Sequence, residues 1–476
     1  MPGYASGGGG GGRNTGDEQP TRDSPQREPS GSDEAGPVPD FAATQEFQEP
    51  RDHAPARGGM FASLRVRNYR LYASGQIISL VGTWMQRIAQ DWLVLKLSGD
   101  SPVALGIAIA LQFIPTLGLT LWAGVLADRL DKRKMLIVLQ SGIGACALVL
   151  GLLVLGGVVE LWHVYVLCLV LGCFTAFETP ARQSFVMEMV GRDQVANAVA
   201  LNSMTFNTAR IVGPGIAGYA IAWIGTGWLF VVNSVSVVAV VLGLVLMDPD
   251  KLFRSDPVPR ARGQLREGLR YVRGRPDLTV LMGLVFLVST FGMNINTTLP
   301  VMANNFFEAG PQGLGLLSTV LAVGTLTGAA MAARRSRDGT PSLRLLLVAG
   351  MVFGCLVVML GLMPTMGLFG AVLVPTGIAF MTFSLTANAT VQLTVEPHMR
   401  GRVMGLYMLV LLGGMPLGSS LSGWMAEHIS VPSPLIAGGA IAFLASLTAA
   451  GLMARVRRRE AAGALAAATA SGRPGS

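Results

Sequence analysis

The chain is written in long apolar runs separated by short polar ones, and the lengths of those runs point to its elements. Leu345 to Val395 contains no Asp, Glu, Lys or Arg. A hydrocarbon core roughly 30 Å thick takes about 20 apolar residues in helical form to cross, so this stretch is too long for one helix. The tetrapeptide PTMG, Pro364 to Gly367, divides it in two, and GTGW, Gly225 to Trp228, divides Ile211 to Met247 in the same way. Along the whole chain the pattern predicts twelve spans, at 70–95, 103–127, 135–157, 161–181, 197–222, 227–247, 279–303, 312–333, 342–363, 367–394, 402–426 and 434–454. Lipid offers backbone groups no hydrogen-bond partners, so a spanning segment is a helix or part of a closed barrel. Continuous apolar runs lack the alternation of barrel strands. The expected fold class is therefore all-α integral membrane.

The polar interruptions are asymmetric. Counting spans from a cytoplasmic start puts the loops at 124–134, 251–276, 334–339 and 454–460 on one face, where nearly every Lys and Arg outside the tails falls. The opposite loops hold only Lys96. By the positive-inside rule both termini are expected in the cytoplasm. The two halves also repeat each other. Gly124 and its basic loop recur from Gly328, an offset of 204, and the GPG at Gly213 to Gly215 recurs as MPLG, Met415 to Gly418. The expected organisation is a disordered cytoplasmic tail at 1–60, an N-terminal six-helix bundle at 61–247, and a basic linker with an amphipathic helix (REGLRYV) at 248–278. A C-terminal bundle follows at 279–456, then a cytoplasmic tail at 457–476.

Composition agrees: 51 % of residues are hydrophobic and only 13 % charged, against about 25 % charged in soluble domains. The first sixty residues are rich in Gly, Pro, Ser and charge and cannot bury enough apolar surface to order themselves. They contain no apolar core of a secretory signal. The four cysteines all fall inside predicted spans and the four histidines are scattered singly, so no disulfide, metal or cofactor is expected. There is no phosphate-binding G-x-x-x-x-G-K-[ST] and no cluster of nucleophile, acid and base. That argues against ATP-driven chemistry and against an enzyme, and no nucleic-acid partner is expected.

The most informative residues are charges inside spans, because a charge near the bilayer centre costs about 3 kcal/mol or more by insertion scales and faces a cavity or a partner. Arg210 stands near the middle of span 5, with Asn207 about one turn earlier. It either serves a cavity or is tied structurally to carbonyls or an acid such as Glu178. Arg87 and Asp91 lie four apart on span 1, where they share a face and can pair within the helix. Gln86 and Gln90 interleave with them, which suggests a water-lined vestibule in the outer half of that span. Glu178 and Arg182 also stand four apart, beside Pro180 at the inner end of span 4, as a salt bridge or as part of an inner gate. In the second half, Asn294, Asn296, Thr297, Thr298, Thr386, Asn388, Thr390 and Gln392 either line a cavity or staple helices. Phe291, Met293, Met381 and Phe383 suit an apolar substrate, though packing is the commoner use.

Twelve helices in two related halves, with a basic loop after span 2, resemble the major facilitator superfamily of secondary transporters. GVLADRLDKRK is similar to that superfamily's loop motif G-x-L-a-D-r-x-G-r-k. Gly124, Leu126, Asp128, Arg129, Lys132 and Arg133 match, and Asp131 replaces a glycine. RNYRLYASGQIISLVGTWMQRIAQDWLVLKL, TPARQSFVMEMV and ARIVGPGIAGY resemble the exporter branch that includes enterobactin and macrolide efflux proteins, over residues 61–456. The resemblance implies a monomer in the bacterial plasma (inner) membrane. It further implies proton-coupled export of a small hydrophobic or amphipathic molecule (drug, secondary metabolite or siderophore) by alternating access, from a site between the halves. Arg87, Asp91, Glu178, Asn207 and Arg210 would belong to the substrate and proton pathway. The loop would be a conformational latch built from Gly124, Asp128, Arg129 and Arg133 with Arg182; the second copy has Ala332 where the first has Asp128. Gly213, Pro214, Gly215 and Gly218 resemble the exporters' span 5 motif, with Ala217 in place of one glycine. An importer or lipid carrier on the same fold, or a non-transporting sensor, is the alternative.

Overall fold

The computed structural model describes residues 61–253, 264–338 and 342–471, and the expected tail at 1–60 lies outside them. All the regular structure among these residues is helical: α1 (Arg67–Leu97), α2 (Pro102–Arg129), α3 (Lys132–Leu155), α4 (Leu161–Val190), α5 (Val195–Val245), α6 (Gln264–Arg273), α7 (Pro276–Leu287), α8 (Ile295–Val301), α9 (Gly310–Asp338), α10 (Leu343–Leu362), α11 (Met366–Thr394), α12 (Arg400–His428) and α13 (Ser433–Ser471). Ten stretches among the described residues are long and apolar enough to cross a bilayer. One of them, α5, is two spans, because Gly225 breaks it at φ 80° and ψ 169°. The twelfth crossing is α1, whose apolarity is diluted by Gln86, Arg87, Gln90 and Asp91. Among the described residues the protein is thus a multi-pass membrane protein of twelve helical spans in two halves of six.

Span 7 is the irregular one. It runs through α7, a wide π turn at Val288–Gly292, a break at Met293 and Asn294, then α8 and a second π turn at Met302–Phe306. Non-helical backbone at membrane depth is tolerated where it is buried in protein or lines a cavity. Here Thr290 and Asn294 are buried, and Asn294 Nδ2 donates to the Thr290 carbonyl. Span 12 continues as α13 to Ser471, past its expected end at 454.

Within the first half, polar groups tie the helix ends together on the face that carries the α2–α3 connection, called here the basic face. Asn68 and Asp248 exchange two hydrogen bonds, at 2.8 and 3.0 Å. Arg133 donates to the Leu244 and Val245 carbonyls at 2.6 and 2.7 Å, capping the end of span 6. Asp131, the residue that departs from the loop motif, is the N-cap of α3 and accepts from Lys134 N at 3.1 Å. Lys132 reaches Glu188 on α4 at 2.7 Å. On the same face α6 docks on the start of α12 through Glu267 and Arg402, 2.5 Å apart.

The halves meet at the opposite face. Lys96 Nζ donates to Asn304 at 3.2 Å, and Asn305 Nδ2 to the Asp100 carbonyl at 2.8 Å. Glu427, ending α12, accepts from Ser101 Oγ at 2.5 Å and Val103 N at 3.1 Å at the start of α2. Backbones touch there too: a Cβ on Gly218 would lie 2.7 Å from the Pro311 carbonyl, and one on Gly423 would lie 2.5 Å from the Pro102 carbonyl. Towards the middle, Thr319 Oγ1 donates to the Ile211 carbonyl at 3.1 Å. Every hydrogen bond between the halves that joins two described residues lies between the opposite face and mid-membrane. The cleft between the halves is closed on that side, and among the described residues no hydrogen bond joins the halves nearer the basic face.

Candidate functional site

Trp84, Arg87 and Asp91 fall on one face of α1 by their spacing of three and four residues. From the facing helix α5 come Arg210 and, one turn on, Pro214. The two helices are locked close, since a Cβ on Gly213 would lie 2.5 Å from the Trp84 Cβ and 3.1 Å from the Val81 carbonyl. The Trp84 indole therefore has two cations beside it, with the Arg87 guanidinium carbon 5.9 Å and the Arg210 guanidinium carbon 5.7 Å from its ring centre. Such contacts are worth about 0.5–2 kcal/mol each and do not neutralise charge. Asp91 is 7 % exposed. Although one turn away, it makes no ion pair with Arg87. Nor is Glu178 the partner of Arg210: its Oε1 accepts from Arg182 Nε at 2.8 Å and from Gln140 Nε2 at 3.2 Å.

Three cavities follow one another past these residues. The first, of about 310 Å³, lies in the first half, and five glutamines line it: Gln76, Gln86, Gln90, Gln112 and Gln140, with Glu178 and Arg182. Arg87 borders this cavity and also the second, a constriction of about 30 Å³ between the halves that holds Asp91, Arg210, Pro214 and Asn296. Arg210 borders both the constriction and the third cavity, of about 260 Å³, in the second half. That third wall is mainly apolar, with Met293, Ile295, Phe353, Phe380, Met381 and Met415, beside Asn296, Thr325 and Ser384. The polar vestibule expected in the outer half of span 1 is thus centred nearer its middle, and it runs from Gln76 to Gln90.

A twelve-helix membrane protein with charges gathered in a cleft between two similar halves has the form of a secondary transporter, and residues 58–472 match the family described as transmembrane secretion effector. The chain belongs to that family, within the major facilitator superfamily. It is similar to a staphyloferrin A transporter of Staphylococcus aureus, 24 % identical over 76 % of this chain and 90 % of that protein. It is equally similar to macrolide efflux protein A of Streptococcus pyogenes, 24 % identical over 77 % of this chain and 91 % of that one. Among solved structures, a bacterial homologue of the lysosomal transporter Spinster shares the fold, with a TM-score of 0.61 at 16 % identity over 83 % of this chain and 97 % of that one.

The other sequence candidates of this major facilitator protein fall as follows. Asn207 donates to the Ser203 carbonyl of its own helix at 2.8 Å and borders none of the three cavities. The Asp128 side chain and the surroundings of Gly124 lie outside what the structure describes. Arg129 is exposed at the end of α2, whereas Arg133 turns back to cap span 6. Gly215 would place a Cβ 3.2 Å from Thr319 Oγ1. Of the second-half polar groups singled out from sequence, only Asn296 borders these three cavities, which Ser318, Thr325 and Ser384 also line; Thr390 bonds the Thr386 carbonyl and Gln392 bonds Asn388. Met293 and Met381 line the apolar cavity while Phe383 is core. The sequence reading did not single out Trp84, Gln76, Gln112, Gln140 or Glu427. Glutamines inside apolar runs were a signal for the middle three of these, whereas no spacing marks a residue whose partner is on the other half.

Proposed function

We propose that this chain exports small hydrophobic or amphipathic molecules across the bacterial plasma (inner) membrane by alternating access, coupled to protons, with both termini in the cytoplasm. The observation that carries the reading is a cleft that holds the membrane-embedded charges and is sealed opposite the basic face, while among the described residues no hydrogen bond joins the halves nearer the basic face, which we read as an opening. Under the positive-inside rule that opening faces the cytoplasm, where an exporter loads. A relative of 24 % identity, macrolide efflux protein A, supports the outward direction.

In this reading the substrate sits between the halves, against Arg87 and Arg210 and with Asn207 along its path. Asp91 carries the proton, being the one carboxylate among the residues bordering the constriction. Glu178 and Arg182 border the inner approach. When the basic face closes, the loop with Gly124, Asp128, Arg129 and Arg133 latches the halves, with Arg182 nearby. Gly213, Pro214, Gly215 and Gly218 let span 5 bend and slide against its neighbours.

The test is intracellular accumulation of a panel of hydrophobic antibiotics, dyes and siderophores in an efflux-deficient bacterial host expressing the chain, with and without a protonophore. Accumulation should fall for some members and return with the protonophore. Asp91→Asn should lose at least tenfold of that energised export while inserting normally. Unchanged export by this variant removes Asp91 from the coupling, and no effect across the panel, with insertion confirmed, counts against energised export.

A further inference from the structure

We infer that the cleft selects amphipathic organic acids, with the acidic group docking between Arg87 and Arg210 and the apolar body entering the cavity of the second half. The inference rests on the reading above only in taking the cleft as the substrate site.

Charge is the first ground. The constriction is bordered by two guanidinium groups and one carboxylate, Asp91, so it carries a net positive charge when all three are ionised. None of the three has an ion-pair partner among the described residues, and both guanidinium groups rest on the same Trp84 ring. An aromatic face leaves the planar N–H fork of an arginine free at its edge, and that fork matches a carboxylate or phosphate bidentately. The counter-charge this pair lacks is one a ligand can bring. Other ionisable groups of the cleft do not supply it, because Glu178 is engaged by Arg182 and Gln140.

Shape is the second. Arg210 borders both the charged constriction and the apolar cavity of about 260 Å³, so a group held by Arg210 has Met293, Phe380, Met381 and Met415 beside it. Methionine and phenylalanine make most of this wall adaptable and apolar, with Asn296, Thr325 and Ser384 as its polar groups. On the other side, Arg87 borders the glutamine-lined cavity. A cationic amphiphile would meet two arginines at the narrowest point, and a purely apolar molecule would leave them unpaired; only an anion satisfies both walls at once.

The experiment is calorimetric titration of the purified full chain in detergent with three matched probes: 2-naphthylacetate, 2-(2-naphthyl)ethanol and 2-(2-naphthyl)ethyl-trimethylammonium. The acid should bind at least tenfold more tightly than the alcohol or the ammonium. Arg210→Gln and Arg87→Gln should each cost the acid about tenfold while leaving the alcohol unchanged, Arg210→Lys should retain part of the preference, and Met381→Ala should weaken acid and alcohol alike. Equal or tighter binding of the ammonium, an acid affinity unmoved by both glutamine variants, or no binding of the acid overturns the inference. Because binding is read without a gradient, these outcomes are separate from a failure of energised export in cells.

Discussion

Glu427 closes the gap between the halves with a single carboxylate that caps the start of a helix in the other half, taking hydrogen bonds from Ser101 Oγ and Val103 N. A carboxylate at a helix N-terminus is favourable both as a cap and against the helix dipole. Because Glu427 is exposed, solvent screens the contact, and about 1 kcal/mol is a fair magnitude for it. Glu427→Gln should therefore raise the population open on that face roughly fivefold, read as thiol labelling of a cysteine placed near Val103; an unchanged rate would mean that the glycine contacts alone hold the seal. The residues that were legible from sequence are those whose cost in lipid is large: Arg87, Asp91 and Arg210 stand out in apolar runs because charge there is rare. Their partners were not legible. The i,i+4 spacing suggested an Arg87–Asp91 pair, yet the side chains turn to a cavity and an indole, a choice made by α5 packing on α1. Glu427 sits where a loop charge looks ordinary, and only the docking of the halves gives it a partner.

At the scale of helices, the repeat seen in sequence is a repeat of contacts. Span 5 packs on span 1 through Gly213 and on span 8 through Gly218, and span 11 packs on span 7 through Gly414 and on span 2 through Gly423. Each contact is backbone against backbone or side-chain root, which is why small residues are needed. Gly218→Val would drive its side chain into the Pro311 carbonyl and Gly423→Val into that of Pro102. Both variants should cut transport more than tenfold by preventing closure of the opposite face. Gly283→Ala, in span 7 with open space around the new methyl, should transport normally. Similar losses in all three, at equal membrane levels, would show general intolerance of the helices rather than a role for closure. Span lengths and turns such as GTGW were legible because lipid punishes every polar interruption and Gly225 has the positive φ that glycine adopts freely. The π turns of span 7 were not, since an i→i+5 turn is chosen by what packs beside it.

For the whole molecule, one sealed face and the opening proposed at the other imply a partner state with the two exchanged. Among the described residues the seal consists of a few hydrogen bonds, most of them exposed, and close glycine contacts. Differential binding of about 10⁴-fold to one state carries a two-state equilibrium from 1:99 to 99:1, a preference that a substrate and a proton can supply together. The antiparallel pair α2 and α12 offers a lever that reads both ends at once, with Arg129 and Arg400 at the basic face and Val103 and His428 at the other. Spin labels at each pair, in a background with the four native cysteines (Cys146, Cys168, Cys173, Cys355) replaced, should give a short Val103–His428 distance and a long Arg129–Arg400 distance without ligand. Lowering pH or adding a transported substrate should bring up a second population in which the first distance lengthens and the second shortens. Reciprocal change is the signature of the halves rocking about their central contacts, Ile211–Thr319 among them. If both distances lengthen together, or if no second population forms under any condition that supports export, the halves do not rock as rigid units and the cleft must empty by local rearrangement, for which the broken span 7 is the element to label next.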